Sequence, residues 1–227
     1  MLQVFDKYNR VMLSPETVLY KLIKSHTVIT SNGMAGGPGG WVHVTLQAGS
    51  LAFIRSTNGD VVSLARSSSS PTMGILRSIN RNTSVIIYEF MRNVIVTPDP
   101  YGLELYTSEG VPYFNTAEFQ CPVKASLNER SLPNGYYDID SGVVAFCNHH
   151  TTVNMYPAIW DWYFTGEPGG ATSGGRFYVK VIQGTAPYGS TGNQGSFIAA
   201  EGIATGVLLI DCSQLPSDFS RAFTVLN

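Results

Sequence analysis

Short apolar or alternating runs, each closed by Gly, Pro, Asn or Asp, recur along the whole chain, and a chain punctuated in this way folds into strands. Trp41-Val42-His43-Val44-Thr45-Leu46 and Ser50-Leu51-Ala52-Phe53-Ile54 read as strands, with Thr57-Asn58-Gly59-Asp60 as a hairpin turn into Val61-Val62-Ser63-Leu64. Val85-Ile86-Ile87-Tyr88-Glu89-Phe90 is the strongest strand of the first half, and Val94-Ile95-Val96 is expected to pair beside it. Further on, Gly142-Val143-Val144-Ala145-Phe146 reads as a buried strand, Arg176-Phe177-Tyr178-Val179-Lys180-Val181 alternates cleanly, and Gly206-Val207-Leu208-Leu209-Ile210 and Phe223-Thr224-Val225-Leu226 close the chain.

Helix is scarce. Ser14-Pro15-Glu16-Thr17 has the form of an N-cap followed by proline at the first helical position, and Val18, Leu19, Leu22 and Ile23 would then share a face; the same stretch also reads as a strand. A turn of helix is admitted near residues 216–221. Residues 32–40, 67–72, 166–175 and 184–196 are rich in Gly, Ser, Pro and Asn and read as long loops of the kind that mediate contacts.

The fold class expected is all-β, as two tandem β-sandwich-like domains with long Gly/Ser-rich loops. Thr97-Pro98-Asp99-Pro100 marks the joint, because two prolines so close together stop regular pairing; the domains are then residues 1–97 and 98–227. A divergent duplication is suggested by two segments of one pattern. Leu2-Gln3-Val4-Phe5 and Leu103-Glu104-Leu105-Tyr106 are each an alternating strand, followed by a polar turn ending at Asn9 or Gly110 and a second short apolar strand.

Charged residues make up 13% of the 227, against roughly 25% in an ordinary soluble domain, and Ser, Thr, Asn and Gly carry the polarity instead. A surface of that kind suits a β-sheet covered by neighbouring subunits. The net charge is −2, and no stretch concentrates Lys or Arg, so the basic face that nucleic acid demands is absent. No apolar run approaches the roughly 20 residues of a membrane-spanning helix. The opening Met1-Leu2-Gln3-Val4-Phe5-Asp6-Lys7 lacks the basic start and apolar centre of a secretory signal, and three widely spaced cysteines, Cys121, Cys147 and Cys212, argue for synthesis in a reducing cytosol.

Chemistry-bearing motifs are weak. Asn32-Gly33-Met34-Ala35-Gly36-Gly37-Pro38-Gly39-Gly40 lacks the Lys and following helix of a phosphate loop. Cys147-Asn148-His149-His150 gathers ligand types that zinc favours, but structural sites draw them from two separated pairs, and His26 and His43 are isolated. Asp138-Ile139-Asp140-Ser141-Gly142 lacks the third oxygen ligand and distal Glu of a calcium loop. No nucleophile elbow or acid/base pair can be nominated. The expectation is no catalytic residue, no cofactor and no metal. The candidate contact site is aromatic: Tyr156, Trp160, Trp162 and Tyr163, within Tyr156-Pro157-Ala158-Ile159-Trp160-Asp161-Trp162-Tyr163-Phe164. Such side chains stack on sugar rings or anchor interfaces; Trp160, Trp162 and Phe164 read first as one face of a sandwich core, and Tyr156 and Tyr163 as the ones that reach the surface.

Residues 2–13 and Tyr101-Gly102-Leu103-Glu104-Leu105-Tyr106, with Gly110, resemble the Tyr-Gly-Leu-x-Val-Tyr/Phe-x-x-x-Gly start of small tailed-bacteriophage proteins encoded among tail-tip and fibre genes. The resemblance covers about a dozen residues in each half, and the first copy lacks the Tyr-Gly. It implies a minor virion protein of the tail tip or baseplate, made in the host cytoplasm, non-enzymatic and assembled in several copies as a homo-oligomer. Its partners would be other tail proteins, a hub, tube or fibre, with a host surface glycan as a further one. The alternative is a carbohydrate- or receptor-binding module of a tail fibre that uses the aromatics at 156–163. A glycan-cleaving enzyme is the remotest reading.

Overall fold

The computed structural model describes residues 4–5, 11–13, 19–33, 39–66, 70–97, 102–129, 135–138, 144–148, 154–157, 162–173, 176–187 and 205–226. Among the described residues there are strands and no helix. In chain order they are β1 (Val4–Phe5), β2 (Val11–Leu13), β3 (Lys21–Ile29), β4 (Asn32–Gly33), β5 (Gly40–Thr45), β6 (Leu51–Ser56) and β7 (Val62–Arg66). Next come β8 (Met73–Ser78), β9 (Ser84–Met91), β10 (Val94–Val96), β11 (Glu104–Tyr106), β12 (Pro112–Asn115), β13 (Val123–Glu129) and β14 (Gly135–Asp138). The remainder are β15 (Val144–Asn148), β16 (Asn154–Pro157), β17 (Trp162–Ser173), β18 (Arg176–Pro187), β19 (Thr205–Asp211), β20 (Phe219–Ser220) and β21 (Phe223–Val225).

Two sheets dominate. One has the order β13-β19-β15-β6-β9-β3-β20, the other β14-β18-β17-β7-β8-β5-β4, with β16 added on β17. Both contain strands from either side of residues 97–98. The pairings that join the two stretches within the sheets include Ile54 opposite Phe146 and Val62 opposite Gly170.

β9 explains the layering. Every residue after Ser84 is buried, as an apolar run interrupted by Glu89 alone requires of a central strand covered on both faces. Val85 and Ile87 enter the core between the sheets, together with Ile54 and Phe146 from their own sheet and Val44, Val62 and Leu76 from the other. Ile86, Tyr88 and Phe90 point the opposite way, into a second core with Leu22, Phe53, Ala145 and Ile210. Tyr20, Phe119, Cys121, Leu215 and Phe219 roof that outer core. Each such side chain, fully buried, stabilises the fold by roughly 1.5–3 kcal/mol.

The stretch that read as either helix or strand is settled from Lys21 onward, where β3 forms; residues 14–18 lie outside the described residues. Lys21, Leu22 and Ile23 are buried in succession, which strict alternation forbids. A register shift against β9 between Leu22 and Lys24 resolves it, sending Leu22 to the outer core and Ile23 to a third cluster with Met91, Val94 and Val96.

Several expectations are corrected. Residues 57–60 do not close a hairpin, since β6 and β7 belong to different sheets and the turn carries the chain from one layer to the other. β10 pairs with β21, not with β9, because the turn at Asn93, whose φ is 53°, leads the chain off the sheet. Residues 166–173, expected as loop, belong to β17. They pair with β18 in unbroken register from Trp162 opposite Pro187 to Ser173 opposite Arg176, because ladder hydrogen bonds need only backbone. Residues 216–221 form no helix; Phe219 and Ser220 pair with Ser25 and Lys24.

The two hairpins of the suggested repeat both form, and their registers agree. Val4 pairs with Leu13 and Phe5 with Val11, with an irregularity between Val4 and Phe5. Leu105 pairs with Phe114 and Tyr106 with Pro112, with the same irregularity between Leu105 and Tyr106. Laid on one another, the two segments match pair for pair, bulge included. In the second hairpin Gly102 has φ 147° and Gly110 φ 78°, so both motif glycines occupy backbone space that a side chain resists.

Candidate functional site

The chain crosses between the sheets at both ends of β9, and each end is closed by buried polar side chains. At the Ser84 end, the Thr30 and Ser78 hydroxyls bond one another at 2.6 Å, Ser78 Oγ donates to the Asn80 carbonyl at 2.6 Å, and the Thr83 amide donates to Thr30 Oγ1 at 3.1 Å. Asp60 accepts from Thr83 Oγ1 at 2.6 Å, Asn80 Nδ2 at 2.7 Å and Asn58 Nδ2 at 2.8 Å. Burial pushes the Asp60 carboxyl up, but these three donors outweigh it and hold the group below its ordinary value. All of these groups serve the crossings.

At the other end the arrangement differs. Glu89, in β9, is fully buried. Its Oε2 accepts from the Gln47 amide at 2.6 Å and from Ser50 Oγ at 3.0 Å, which fastens the crossing from β5 to β6. Its Oε1 is buried and has no hydrogen-bond partner. Glu89 forms part of the wall of a cavity of about 290 Å³ at the mouth between the sheets. Lys24, directly opposite Glu89 in register, lines the same cavity, as do Arg221 and the apolar Ile23, Leu46 and Phe223. Arg221 also stands over the Phe219 ring, 5.5 Å from its centroid. One step along β3, His26 is half-buried with an unpartnered Nδ1; burial and the Lys24 charge hold its pKa below the ordinary 6.5, against the pull of Glu89 and Asp218.

Sequence reasoning passed over Glu89. The available signal was one carboxylate inside an otherwise apolar strand, a residue that stays buried only when its desolvation is offset by donors.

The aromatic candidates divide. Trp160 lies outside the described residues, as do His149, His150 and Asp140. The register places Tyr156 of β16 opposite Phe164 of β17, Tyr163 opposite Pro157 and Ala186, and Trp162 opposite Pro187. These three candidates therefore sit on neighbouring strands of one sheet. The glycine-rich run is described at both ends: Asn32 and Gly33 pair with Trp41 and Gly40, and Trp41 Nε1 donates to the Gly33 carbonyl at 3.2 Å. His43 is exposed and lies edge-on to Trp41, ring centroids 5.1 Å apart. Among the described residues no group of three or more His, Cys, Asp or Glu is placed to hold a metal ion.

The three cysteines are free and meet around the outer core: Cys212 within it, Cys121 and Cys147 packed against it. Burial pushes the Cys121 thiol up to about 12, helped by Cys147, and raises that of Cys212 as well. Tyr88, beside Cys212 and Arg55, is likewise pushed up to about 12, chiefly by burial. These are packing groups, poorly suited to nucleophilic work at neutral pH.

No protein-family model matches the sequence, no curated protein matches it, and no solved structure matches the fold.

Proposed function

We propose that the chain is a structural component of a tailed-phage virion, a minor tail-tip or baseplate protein that docks on the hub, tube or fibre and acts through contacts, not catalysis. The observation that carries this reading is the hairpin of β11 and β12. Its glycines match the resembling motif, and it holds Leu103 and Tyr106 outward at 57% and 52% exposure. Large apolar side chains displayed on a short ladder are available as contact groups for a second surface. The low charge content supports the same reading, because a surface of Ser, Thr, Asn and Gly is easily covered by a neighbour.

The hairpin is well anchored, so contacts made through it would be transmitted to the body. Leu103 N donates to Thr116 Oγ1 at 2.9 Å, Asn115 Nδ2 to Glu104 Oε1 at 2.7 Å, and the segment that follows joins β3 through Leu22 N to the Phe119 carbonyl at 2.8 Å. Immunogold labelling of purified particles with antibody to the chain tests the proposal. Label at the tail end is expected, and particles that lack the chain altogether would overturn it.

A further inference from the structure

We propose that Asn58 is a site of spontaneous deamidation, with the backbone nitrogen of Gly59 as nucleophile and water as co-reactant. The inference is independent of the virion reading.

Asn-Gly occurs three times in the chain, at 32–33, 58–59 and 134–135. Such pairs are the most open to this reaction, because glycine carries no side chain to obstruct attack by its own nitrogen. The structure separates the first two pairs; Asn134 lies outside the described residues. Asn32 and Gly33 are held in β4 opposite Trp41 and Gly40, and the Gly33 carbonyl also accepts from Trp41 Nε1. Turning that peptide towards the Asn32 side chain would break the pairing.

Asn58 and Gly59 stand differently. Both are exposed in the crossing between the sheets, which is pinned before them by Thr57 N on the Ser84 carbonyl at 3.0 Å and after them by Asp60. Among the described residues the Gly59 amide donates to no partner, and its φ of 79° is one that glycine adopts without strain. Asn58 Oδ1 accepts from the Asp60 amide at 3.4 Å, and the ring this bond closes contains both Asn58 Cγ and the Gly59 nitrogen. The Asp60 N–H therefore already faces the oxygen on which charge develops when Cγ is attacked.

The Gly59 nitrogen gives its proton to solvent hydroxide and its electron pair to Cγ. The Cγ–Nδ2 bond breaks, Nδ2 takes a proton from water and leaves as ammonia, and a succinimide remains. Water reopens that ring at either carbonyl, so residue 58 becomes aspartate or isoaspartate. The net change is one water taken up and one ammonia lost. Its consequence lies in the clasp at this end of the sandwich. Asn58 Nδ2 is one of the three donors to Asp60, 2.8 Å from Oδ2, and the product sets a second carboxylate there in its place. Like charges so close repel, and the tie between the two crossings loosens as the molecule ages.

Native chain and chain unfolded in urea, incubated side by side at mildly alkaline pH and mapped by peptide mass spectrometry, test the inference. In the native chain the peptide holding Asn58 is expected to convert at least about fivefold faster than the one holding Asn32. In urea, where neither pair is held, that ratio should fall towards unity. Asn58→Asp, which reproduces the aspartate product, should unfold at lower urea than the parent at neutral pH. Equal rates in the native chain, or a ratio that urea leaves unchanged, overturns the site; a variant as stable as the parent overturns the loosening.

Discussion

Thr83 Oγ1 donates to Asp60 Oδ2 at 2.6 Å, and this bond ties the crossing from β6 to β7 to the crossing from β8 to β9. With Asn80 and Asn58 on the same carboxylate, one side chain fastens the two turns at one end of the sandwich. Asp60→Ala should therefore cost about 1–2 kcal/mol at neutral pH, a figure kept low because the group is partly exposed. The folded carboxyl titrates below its usual 3.8, so this stabilisation is present above that value and disappears as pH falls through the folded value. Urea unfolding at neutral and strongly acid pH checks it: parent and variant should differ at the first and converge at the second.

The Lys21–Glu118 pair should be costly to break on one side only. Nζ lies 2.9 Å from Oε2 and 3.1 Å from Oε1, and the two side chains are 6% and 3% exposed. Glu118→Ala strands a buried ammonium and should cost about 3–5 kcal/mol, whereas Lys21→Met with Glu118→Leu should recover most of the loss. Denaturant midpoints of the single and double variants decide the matter.

His26 makes the fold sensitive to mild acid. Its folded pKa lies below the ordinary 6.5, so the unfolded chain takes up the proton first as pH falls. Stability is full above 6.5 and is lost as pH drops towards the lower folded value. His26→Gln removes this term, and its melting temperature should vary less than that of the parent between about pH 7.5 and 5.5.

Gly102 and Gly110 separate two costs of adding a side chain. A Cβ on Gly102 would meet Thr116 Oγ1 at 2.7 Å, the atom that accepts from Leu103 N, whereas one on Gly110 meets nothing within 4 Å. Gly110→Ala should cost about 1 kcal/mol for its positive φ alone, and Gly102→Ala about 2–3 kcal/mol. Thermal melts rank the pair, and amide exchange at Leu103 should quicken in the second.

The thiols should be silent until the outer core opens. With Cys121 pushed up to about 12 and Cys212 also raised, neither carries appreciable thiolate at neutral pH. Alkylation read by mass spectrometry should mark these two only after denaturant is added; rapid native labelling of either would contradict the burial described.

Local pattern was enough to find many of the strands. The apolar run at 85–90, the alternation at 41–46 and the closing stretches at 206–210 and 223–226 all appear as strands, because side-chain period and β-branched content act within a few residues. Local pattern failed where one backbone pairs with another. Residues 166–173 look like loop, yet they form a ladder with β18 that their own composition does not announce.

By itself, the sequence determined that this chain folds as β-structure with little charge and that a hairpin turn closes at Gly110. Only the tertiary structure decided which strands share a sheet, that residues 57–60 pass between layers, and that Glu89, Lys24 and Arg221 meet around one cavity. The physical reason is range. Alternation and turn conformation are set by neighbours along the chain, while the partner of a strand edge or of a buried carboxylate is chosen by whatever the fold brings beside it.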